Sequence, residues 1–495
     1  MIFTIFEIRN SFLLQKKSMR IQIVLLFLLS SVFGCLQAQT QCNCNDALQK
    51  IILKIESEYP GFDIKTKDKL LYNSVKESST KLALENKNPS ACLDILKAYT
   101  GFFKDRHIWV LPNDYVTQQS TNSKITETKN SKPANIDLEK FKRDIVRKPN
   151  EVEGIWKDDN YEIGVKKINQ NEYMGFIIKA DPKYWKPNDV KFRLFADGSY
   201  EYYMQDRSVQ KGKYKIYDTS ILFFDVIKSS FIKQLPSATL SQEEIKDKIN
   251  EINGFYVKRI TPSTTLIKLQ YFSYMFLDAI EAMLEKNKKL IENSEFLIID
   301  VRDNGGGTDN AYNSILPYIS TNPIRHVGVE YLSSDDFIRN SQKYVQGLEK
   351  DSIKNKESID ENRKRITILK ENLGKYVNFN DKKVNVETIN YASKSPSQII
   401  VLANNHTASA AENFLLRAKQ SKKVKIMGIP SSGVLDYANA MFFEYGCDNY
   451  RLLMPTYRSF RLPDYPIDNI GVQPDIYLDE SISDWVKFAV DYLEK

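Results

Sequence analysis

The sequence predicts an α/β protein in which a core of alternating strands and helices follows a helical N-terminal region and a small antiparallel β domain. Apolar residues recur at helical spacing over residues 45–104. Six short predicted strands separated by turn signals, the last of which ends at residue 227, lie within residues 151–250, and from Gly254 onward buried strands alternate with amphipathic helices. The chain has 495 residues, of which 42% are hydrophobic. It is therefore long and apolar enough to form several packed cores.

The N-terminus has the pattern of an export signal. Basic residues precede the apolar run 21–33, and small residues up to Ala38 follow it. Residues 1–38 are therefore predicted to be a signal peptide, with 1–18 as an upstream extension, and the mature protein to be periplasmic or secreted. The apolar run is too short to span a bilayer comfortably, so no stable membrane span is expected. A loose resemblance to a lipoprotein box leaves a lipid anchor through Cys35 as the alternative.

Charge and cysteine content narrow the expected partners. Seventy basic and 63 acidic residues are interspersed along the chain, which indicates a solvated surface and no nucleic acid partner. There are only three histidines, with no cysteine–histidine spacing of a zinc site, so no metal and no cofactor are expected.

After residue 38 four cysteines remain, an even number that suits an oxidising compartment. One disulfide is predicted from either Cys42 or Cys44 to Cys92. The oligomeric state is left open.

Changes in pattern divide the mature chain into four segments. They are a helical N-terminal domain (39–115), a polar linker (116–150), a small antiparallel β-barrel or sandwich (151–250) and the α/β core (254–495). A highly charged helical insert over 333–385 interrupts the core. It is interpreted as a solvated excursion, with a lid over a substrate groove as the functional alternative.

A strand, a tight turn and a helix meet at Ser409. The apolar run Ile399–Ala403 predicts a buried strand, and Phe414 and Leu415 continue at helical spacing. The first N–H groups of a helix have no internal partners and can stabilise an oxyanion formed beside a hydroxyl. Ser409 is therefore a candidate nucleophile, although a serine at the start of a helix is more often only its N-cap.

A run of three glycines follows a second predicted strand. The apolar segment Phe296–Val301 leads directly into the loop Arg302–Gly307, which ends in Gly305, Gly306 and Gly307. Consecutive glycines let backbone N–H groups approach a ligand without interference from side chains. No lysine followed by serine or threonine comes next, so a nucleotide-binding loop is not indicated.

Three stretches in this order resemble one family, the serine peptidases that include the C-terminal processing (tail-specific) proteases and the tricorn core protease. The stretches are LIIDVRDNGGG (297–307), IIVLANNHTASAAENF (399–414) and IGVQPDI (470–476). The resemblance runs from about Gly254 to Leu478, apart from the charged insert. It implies a crotonase-like (ClpP-like) αβ spiral core and hydrolysis of peptide bonds in peptides or unfolded proteins.

Within this family the chain resembles the tricorn-like branch, which uses a serine, a histidine and an acid, more closely than the processing proteases, which use a serine and a lysine. Processing proteases place a lysine in the turn after the nucleophile helix, but here Val434 stands in that turn. In the tricorn-like branch a histidine comes from far upstream and an acid precedes the terminal signature, which implies His107 as the base and Asp468 as the acid beside Ser409. Members of that branch have glutamate where this chain has Asp468. A histidine can accept the hydroxyl proton and return it to the leaving amine.

The resemblance also implies which backbone groups would bind the oxyanion. Backbone N–H groups of Gly305 or Gly306 and of Ala410 are the implied oxyanion donors. His406 is the second candidate base because it lies three residues before the serine, and Glu412 is interpreted as a helix first-turn acid. No PDZ-like segment is found, and the small β domain takes its place. A catalytically inactive relative that binds peptides or other ligands is the alternative function.

Overall fold

The computed structural model describes residues 42–113, 134–390 and 395–495. The predicted signal peptide, Cys35 and most of the predicted linker lie outside these residues. Among the helices that are described, none is both long and apolar enough to cross a membrane.

The N-terminal region is helical. It contains α1 (Cys44–Glu58), α2 (Phe62–Lys65), α3 (Lys69–Glu85), α4 (Pro89–Gly101) and the short strand β1 (Trp109–Pro112). Asn43 caps α1 and Asp68 caps α3, since each side chain accepts a hydrogen bond from a backbone N–H of the first helical turn. The apolar face of α1 is fully buried, so this helix forms the centre of the region.

Part of the predicted linker forms a helix. Helix α5 (Leu138–Arg147) begins at the N-cap Asp137, whose side chain accepts a hydrogen bond from the Lys140 N–H. Its side chains Phe141 and Ile145 are buried in a small apolar cluster with Phe176 of the following domain. The sequence analysis missed this helix because only two large apolar residues form its buried face.

The small β domain is a closed eight-stranded antiparallel barrel, whereas the sequence indicated six strands. The strands are β2 (Gly154–Lys157), β3 (Glu162–Asn169), β4 (Glu172–Lys179), β5 (Val190–Phe195), β6 (Ser199–Tyr203), β7 (Val209–Tyr217), β8 (Ile221–Phe224) and β9 (Ser229–Leu235). Aromatic side chains such as Trp156, Phe192 and Phe224 fill the interior. The interior is therefore packed with side chains.

One lysine is buried among these aromatic rings. Lys191 is 1% exposed, and its Nζ donates a hydrogen bond to the carbonyl of Tyr203 at 2.7 Å. The same Nζ lies 4.2 Å from the ring centroid of Trp185 and 4.4 Å from those of Tyr161 and Tyr202. Burial lowers the pKa of Lys191 to about 7.

The remaining chain forms the α/β core. Its elements are α6 (Gln242–Ile252), β10 (Phe255–Arg259), β11 (Thr264–Leu269), α7 (Leu277–Lys286), α8 (Lys288–Glu292), β12 (Phe296–Asp300), α9 (Leu316–Ile319), β13 (Ile324–Val327), β14 (Val329–Leu332), α10 (Asp335–Leu348), α11 (Lys356–Glu371), β15 (Tyr376–Val377), β16 (Val384–Glu387), β17 (Gln398–Ala403), α12 (Ala410–Ala418), β18 (Val424–Gly428), β19 (Tyr437–Ala438), β20 (Met441–Phe443), β21 (Tyr450–Met454), β22 (Tyr457–Ser459), β23 (Ile476–Tyr477) and α13 (Trp485–Glu494).

A six-stranded sheet organises the core, with strand order β10-β11-β12-β17-β18-β23. The β10–β11 pair is antiparallel and the other pairs are parallel. Strands β12 and β17 are neighbours, with Asp300 paired to Leu402. Because parallel strands end at the same edge of a sheet, the glycine loop after β12 and the turn after β17 lie side by side.

The charged insert contains two helices with an apolar cluster of their own, which includes Phe337, Ile366 and Leu369. It is attached to the N-terminal region. Asp336 forms a 3.0 Å ion pair with Lys54 of α1, and the Tyr376 hydroxyl donates to the carbonyl of Pro60.

The N-terminal helices and the last hairpins of the core share one apolar cluster. Strand β1 pairs antiparallel with β21, and a disulfide joins Cys42 to Cys447. A second disulfide, Cys44–Cys92, lies within the N-terminal region and is one of the two pairings expected for Cys92. The first disulfide was not expected, since its cysteines are 405 residues apart.

Candidate active site

Ser409 sits at a strained turn between β17 and α12. Its backbone has φ 54° and ψ −119°, a conformation that a residue with a side chain adopts only when its surroundings impose it. The Thr407 hydroxyl donates to the Val301 carbonyl at 3.0 Å, and the Ala408 N–H donates to the Asn304 carbonyl at 2.9 Å. These two hydrogen bonds attach the serine turn to the segment that leads from β12 into the glycine loop.

The glycine loop lies directly against the serine. A Cβ atom on Gly306, which has φ 89°, would fall 2.8 Å from the Cβ of Ser409 and 2.6 Å from the Ala408 carbonyl oxygen. Only glycine fits at this position. The Gly306 N–H donates to the side chain of Asn304 at 2.9 Å, and Asn304 is itself fully buried.

The three predicted oxyanion donors differ in their hydrogen bonding. Within the described residues, neither the Gly305 N–H nor the Ala410 N–H donates a hydrogen bond. The Gly306 N–H is occupied by Asn304. A carbonyl oxygen placed beside Ser409 therefore has Gly305 and Ala410 as its candidate donors.

The buried carboxylate of Glu412 stabilises the serine turn. Its carboxylate is fully buried and accepts hydrogen bonds from the backbone N–H of Ser409 at 3.1 Å, the Ser431 hydroxyl at 2.6 Å, and two further N–H groups, those of Gly433 and Val434, at 2.6 and 3.0 Å. Burial raises the pKa of Glu412, and these hydrogen bonds oppose the rise. Glu412 is thus more than a first-turn acid, because it ties the serine turn to the segment after β18.

His107 lies in the turn between α4 and β1. Its Nδ1 is 2.6 Å from the carbonyl oxygen of Tyr437. A carbonyl can only accept, so Nδ1 carries the proton and the neutral ring keeps its lone pair on Nε2. Within the described part of the chain, no hydrogen bond joins this ring to Ser409. In this tautomer a neutral imidazole has an unprotonated Nε2, which is the form that a general base requires.

Two hydrogen bonds connect the His107 turn to the serine turn. The Arg106 guanidinium donates to the Ser432 hydroxyl at 2.5 Å. The Ser432 N–H then donates to the carbonyl of Thr407 at 2.9 Å, two residues before Ser409. The structure therefore brings His107 and Ser409 to the same region, although they come from opposite parts of the chain.

Asp468 contacts Lys65 and not the imidazole of His107. The carboxylate forms an ion pair with Lys65, and the Asp468 N–H donates to Asp436 at 2.8 Å. Burial raises the pKa of Asp468, and Lys65 opposes the rise. The ammonium of Lys65 lies 5.2 Å from the ring centroid of Tyr437, the residue whose carbonyl binds His107.

A different carboxylate, Asp105, lies next to His107, and the sequence analysis did not single it out. Asp105 is buried, accepts a hydrogen bond from the backbone N–H of His107 at 2.8 Å and another from the Tyr59 hydroxyl at 2.9 Å. Burial raises its pKa, and His107 is the strongest influence in the other direction. The signal in the sequence is an aspartate two residues before the histidine, a spacing typical of an Asx turn.

His406 and the nearby lysines have other partners. His406 Nδ1 lies 3.0 Å from Asp303 at an exposed position. Lys419 binds Asp475 at 2.9 Å, and Val434 is buried in the turn where a processing protease has its lysine. Among the described residues, no group of three or more histidine, cysteine, aspartate or glutamate side chains is placed to hold a metal ion.

Part of the chain matches a known peptidase family. Residues 263–478 match the model of peptidase family S41. No curated protein sequence matches the chain. The chain is similar to the crystal structure of mature CPAF, with 13% identity and a TM-score of 0.48, over 92% of this chain and 96% of that one.

Two further solved structures are similar to this chain. A putative peptidase from Parabacteroides merdae ATCC 43184 has 14% identity and a TM-score of 0.42, over 92% of this chain and 98% of that one. The photosystem II D1 C-terminal processing protease has 13% identity and a TM-score of 0.35, over 89% and 94%.

Proposed function

We propose that Ser409 is the nucleophile of a serine-type peptidase that hydrolyses peptide bonds in peptides or unfolded proteins, since residues 263–478 match the model of peptidase family S41. The observation that carries the proposal is the strained serine at the start of α12, packed against Gly306 with two unused N–H groups beside it. A peptide carbonyl at this position meets a hydroxyl on one side and the Gly305 and Ala410 donors on the other.

His107 is the proposed general base. Its Nε2 takes the hydroxyl proton as Ser409 attacks the carbonyl carbon and returns that proton to the leaving amine when the C–N bond breaks. The resulting acyl-enzyme is hydrolysed by water through the same two groups. Catalytic hydrogen bonds are often longer in a free enzyme than in its substrate complex, so substrate binding is expected to bring Nε2 within reach of the hydroxyl.

Asp468 is the proposed acid, and its contacts favour an indirect role. Its carboxylate holds Lys65, Lys65 lies over the ring of Tyr437, and the Tyr437 carbonyl fixes the tautomer of His107. Asp105, two residues from the base, adds a negative charge that stabilises the imidazolium as it forms.

We also propose that the protein is exported, to the periplasm or the cell exterior, and that mature protein begins near Gln39. The N-terminal sequence pattern and two disulfides support this location. N-terminal sequencing of the protein from its native source tests it, and an intact segment 20–38 would contradict it.

The parallel β11-β12-β17-β18-β23 arrangement supports assignment of the core to the crotonase-like αβ spiral class.

Covalent labelling tests the nucleophile most directly. A fluorophosphonate probe should label the wild-type protein on Ser409, as mapped by peptide mass spectrometry, and Ser409→Ala should neither be labelled nor hydrolyse casein. Ser481→Ala is a matched control, since Ser481 is an exposed serine near the C-terminus. Labelling that persists in a correctly folded Ser409→Ala protein would reject the assignment. A wild-type protein that is neither labelled nor active would favour a non-hydrolytic binding function.

A further inference from the structure

A short segment with exposed apolar side chains runs alongside the glycine loop. It follows β11 and ends in a 3-10 turn at Tyr274–Phe276. Tyr271, Tyr274 and Met275 are 42%, 71% and 78% exposed. Single exposed apolar residues are common on protein surfaces, but here three of five consecutive residues are exposed and apolar, and these three are called the patch.

The segment is held by the same elements that hold the candidate nucleophile. The Phe272 N–H donates to the Gly306 carbonyl at 3.1 Å, and the Phe272 carbonyl accepts from the Thr308 N–H at 2.7 Å. The Phe272 ring is fully buried and lies 6.1 Å from the ring of Phe414. Since Phe414 belongs to the helix that starts after Ser409, the position of the segment is fixed relative to the serine.

The glycine loop lies between the candidate nucleophile and the segment that carries the patch. A Cβ on Gly306 would touch Ser409 on one side of the loop, and a Cβ on Gly307 would lie 2.3 Å from the Phe272 carbonyl oxygen on the other. An extended peptide advances roughly 3.3–3.6 Å per residue, so a side chain a few residues from a bond held at Ser409 is expected to reach the far side of this loop.

The patch is also pre-organised. The ring of Tyr271 stacks on that of Phe276 at 6.0 Å, and Phe276 packs on the buried Phe255 at 4.7 Å. Tyr274 and Met275 therefore extend from a turn that lies between two packed aromatic residues. A tyrosine offers a large apolar surface at low cost in conformational entropy, and a methionine adapts to differently shaped partners.

We propose that Tyr271, Tyr274 and Met275 form a subsite that contacts a large apolar side chain of the peptide substrate close to the scissile bond. This inference rests on the proposed peptidase function and adds a substrate class to it: polypeptides cleaved next to exposed apolar residues, as unfolded chains present them. The occupant is a substrate because the segment is attached through the glycine loop and the nucleophile helix.

The test measures selectivity with two peptides. Cleavage of casein by the wild-type protein is mapped by mass spectrometry, and one cleaved sequence is synthesised with leucine or with serine at the residues flanking the scissile bond. The variant Tyr274→Ser with Met275→Ser should lose about tenfold or more in kcat/KM for the leucine peptide and less than about twofold for the serine peptide. The control Leu82→Ser with Leu84→Ser changes two exposed leucines of α3 and should leave both values unchanged.

Each other result contradicts a definite statement. Equal losses for both peptides, no loss for either, or the same loss in the α3 control would overturn the subsite while leaving the peptidase assignment intact. Unchanged selectivity together with lost binding to phosphatidylglycerol vesicles would assign the patch to a lipid surface and overturn the inference. If the wild-type protein cleaves no casein and takes up no fluorophosphonate, the proposed function fails, and the subsite fails with it.

Discussion

Replacing Lys191 with methionine should remove one of two contributions to the pH dependence of the barrel's stability, the other coming from the buried Lys233, whose pKa is lowered to about 8 by burial. The pKa of this buried lysine is lowered from 10.5 to about 7 by burial. Between these two pKa values the Lys191 side chain is a neutral amine in the folded barrel and an ammonium in the unfolded chain, so unfolding takes up a proton. The free energy of unfolding therefore rises with pH through the window.

The size of the effect follows from the two pKa values. Between about pH 6.5 and about pH 9.5 the wild-type barrel should gain about 3 kcal/mol relative to Lys191→Met. The variant loses the hydrogen bond to the Tyr203 carbonyl, at a cost of about 1 kcal/mol, which does not depend on pH. It should accordingly be more stable than the wild type at the lower pH and nearly equal to it at the higher.

Urea unfolding followed by tryptophan fluorescence measures this difference. The barrel contains Trp156 and Trp185, and a background with Trp109→Phe and Trp485→Phe confines the signal to them. Lys213→Met, at an exposed position on β7, is the matched control and should follow the wild type at both pH values. Parallel pH dependence in the wild type and Lys191→Met would refute the reasoning, because the buried ammonium would then not titrate in this range.

Three further outcomes are expected. His107→Ala should reduce kcat/KM nearly as much as Ser409→Ala, since members of a catalytic unit act together. His406→Ala should remain active, and so should the pair Lys422→Ala with Lys423→Ala, which removes two lysines between α12 and β18; full activity of His107→Ala in the same peptide assay would overturn the base assignment. Asp468→Asn and Lys65→Met should each lower kcat/KM about tenfold, or by about 1.4 kcal/mol. The double variant should lose little more than either single variant, because the acid acts through the lysine; a severe loss in Asp468→Asn alone would show instead that Asp468 contacts His107 directly. Cys42→Ala and Cys447→Ala should each lower the free energy of unfolding by about 2–5 kcal/mol and reduce activity, with the double variant no worse than either; additive losses in thermal unfolding would mean that the two cysteines act separately.

Local patterns were sufficient to predict the strand–turn–helix around Ser409. The apolar run and the small residues before Phe414 lie within one stretch, and the structure begins α12 directly after Ser409. The strand before the glycine loop is also formed as predicted, as Phe296–Asp300. Both features depend on neighbours in sequence, where periodicity is informative.

Contacts between distant segments could not be predicted in the same way. The donors that surround Glu412 include Ser431, Gly433 and Val434, which come from a separate turn, so the sequence pattern showed only a glutamate in the first turn of a helix. In the barrel, Lys233 of β9 is a buried lysine in a strand. It breaks the alternation that identifies strands, and β9 was among the segments that the sequence analysis did not find.

The pairing of β1 with β21 determines when the proposed site can exist. A ribosome delivers His107 early, Ser409 much later, and β21, which holds the strand beside His107, later still. A growing chain that has passed Ser409 but has not reached Tyr450 contains both the hydroxyl and the imidazole, yet it lacks the strand β21 that pairs with β1 beside His107. On the proposed mechanism, partly synthesised chains are therefore inert toward neighbouring polypeptides. Hydrolytic capacity arises only as synthesis nears its end.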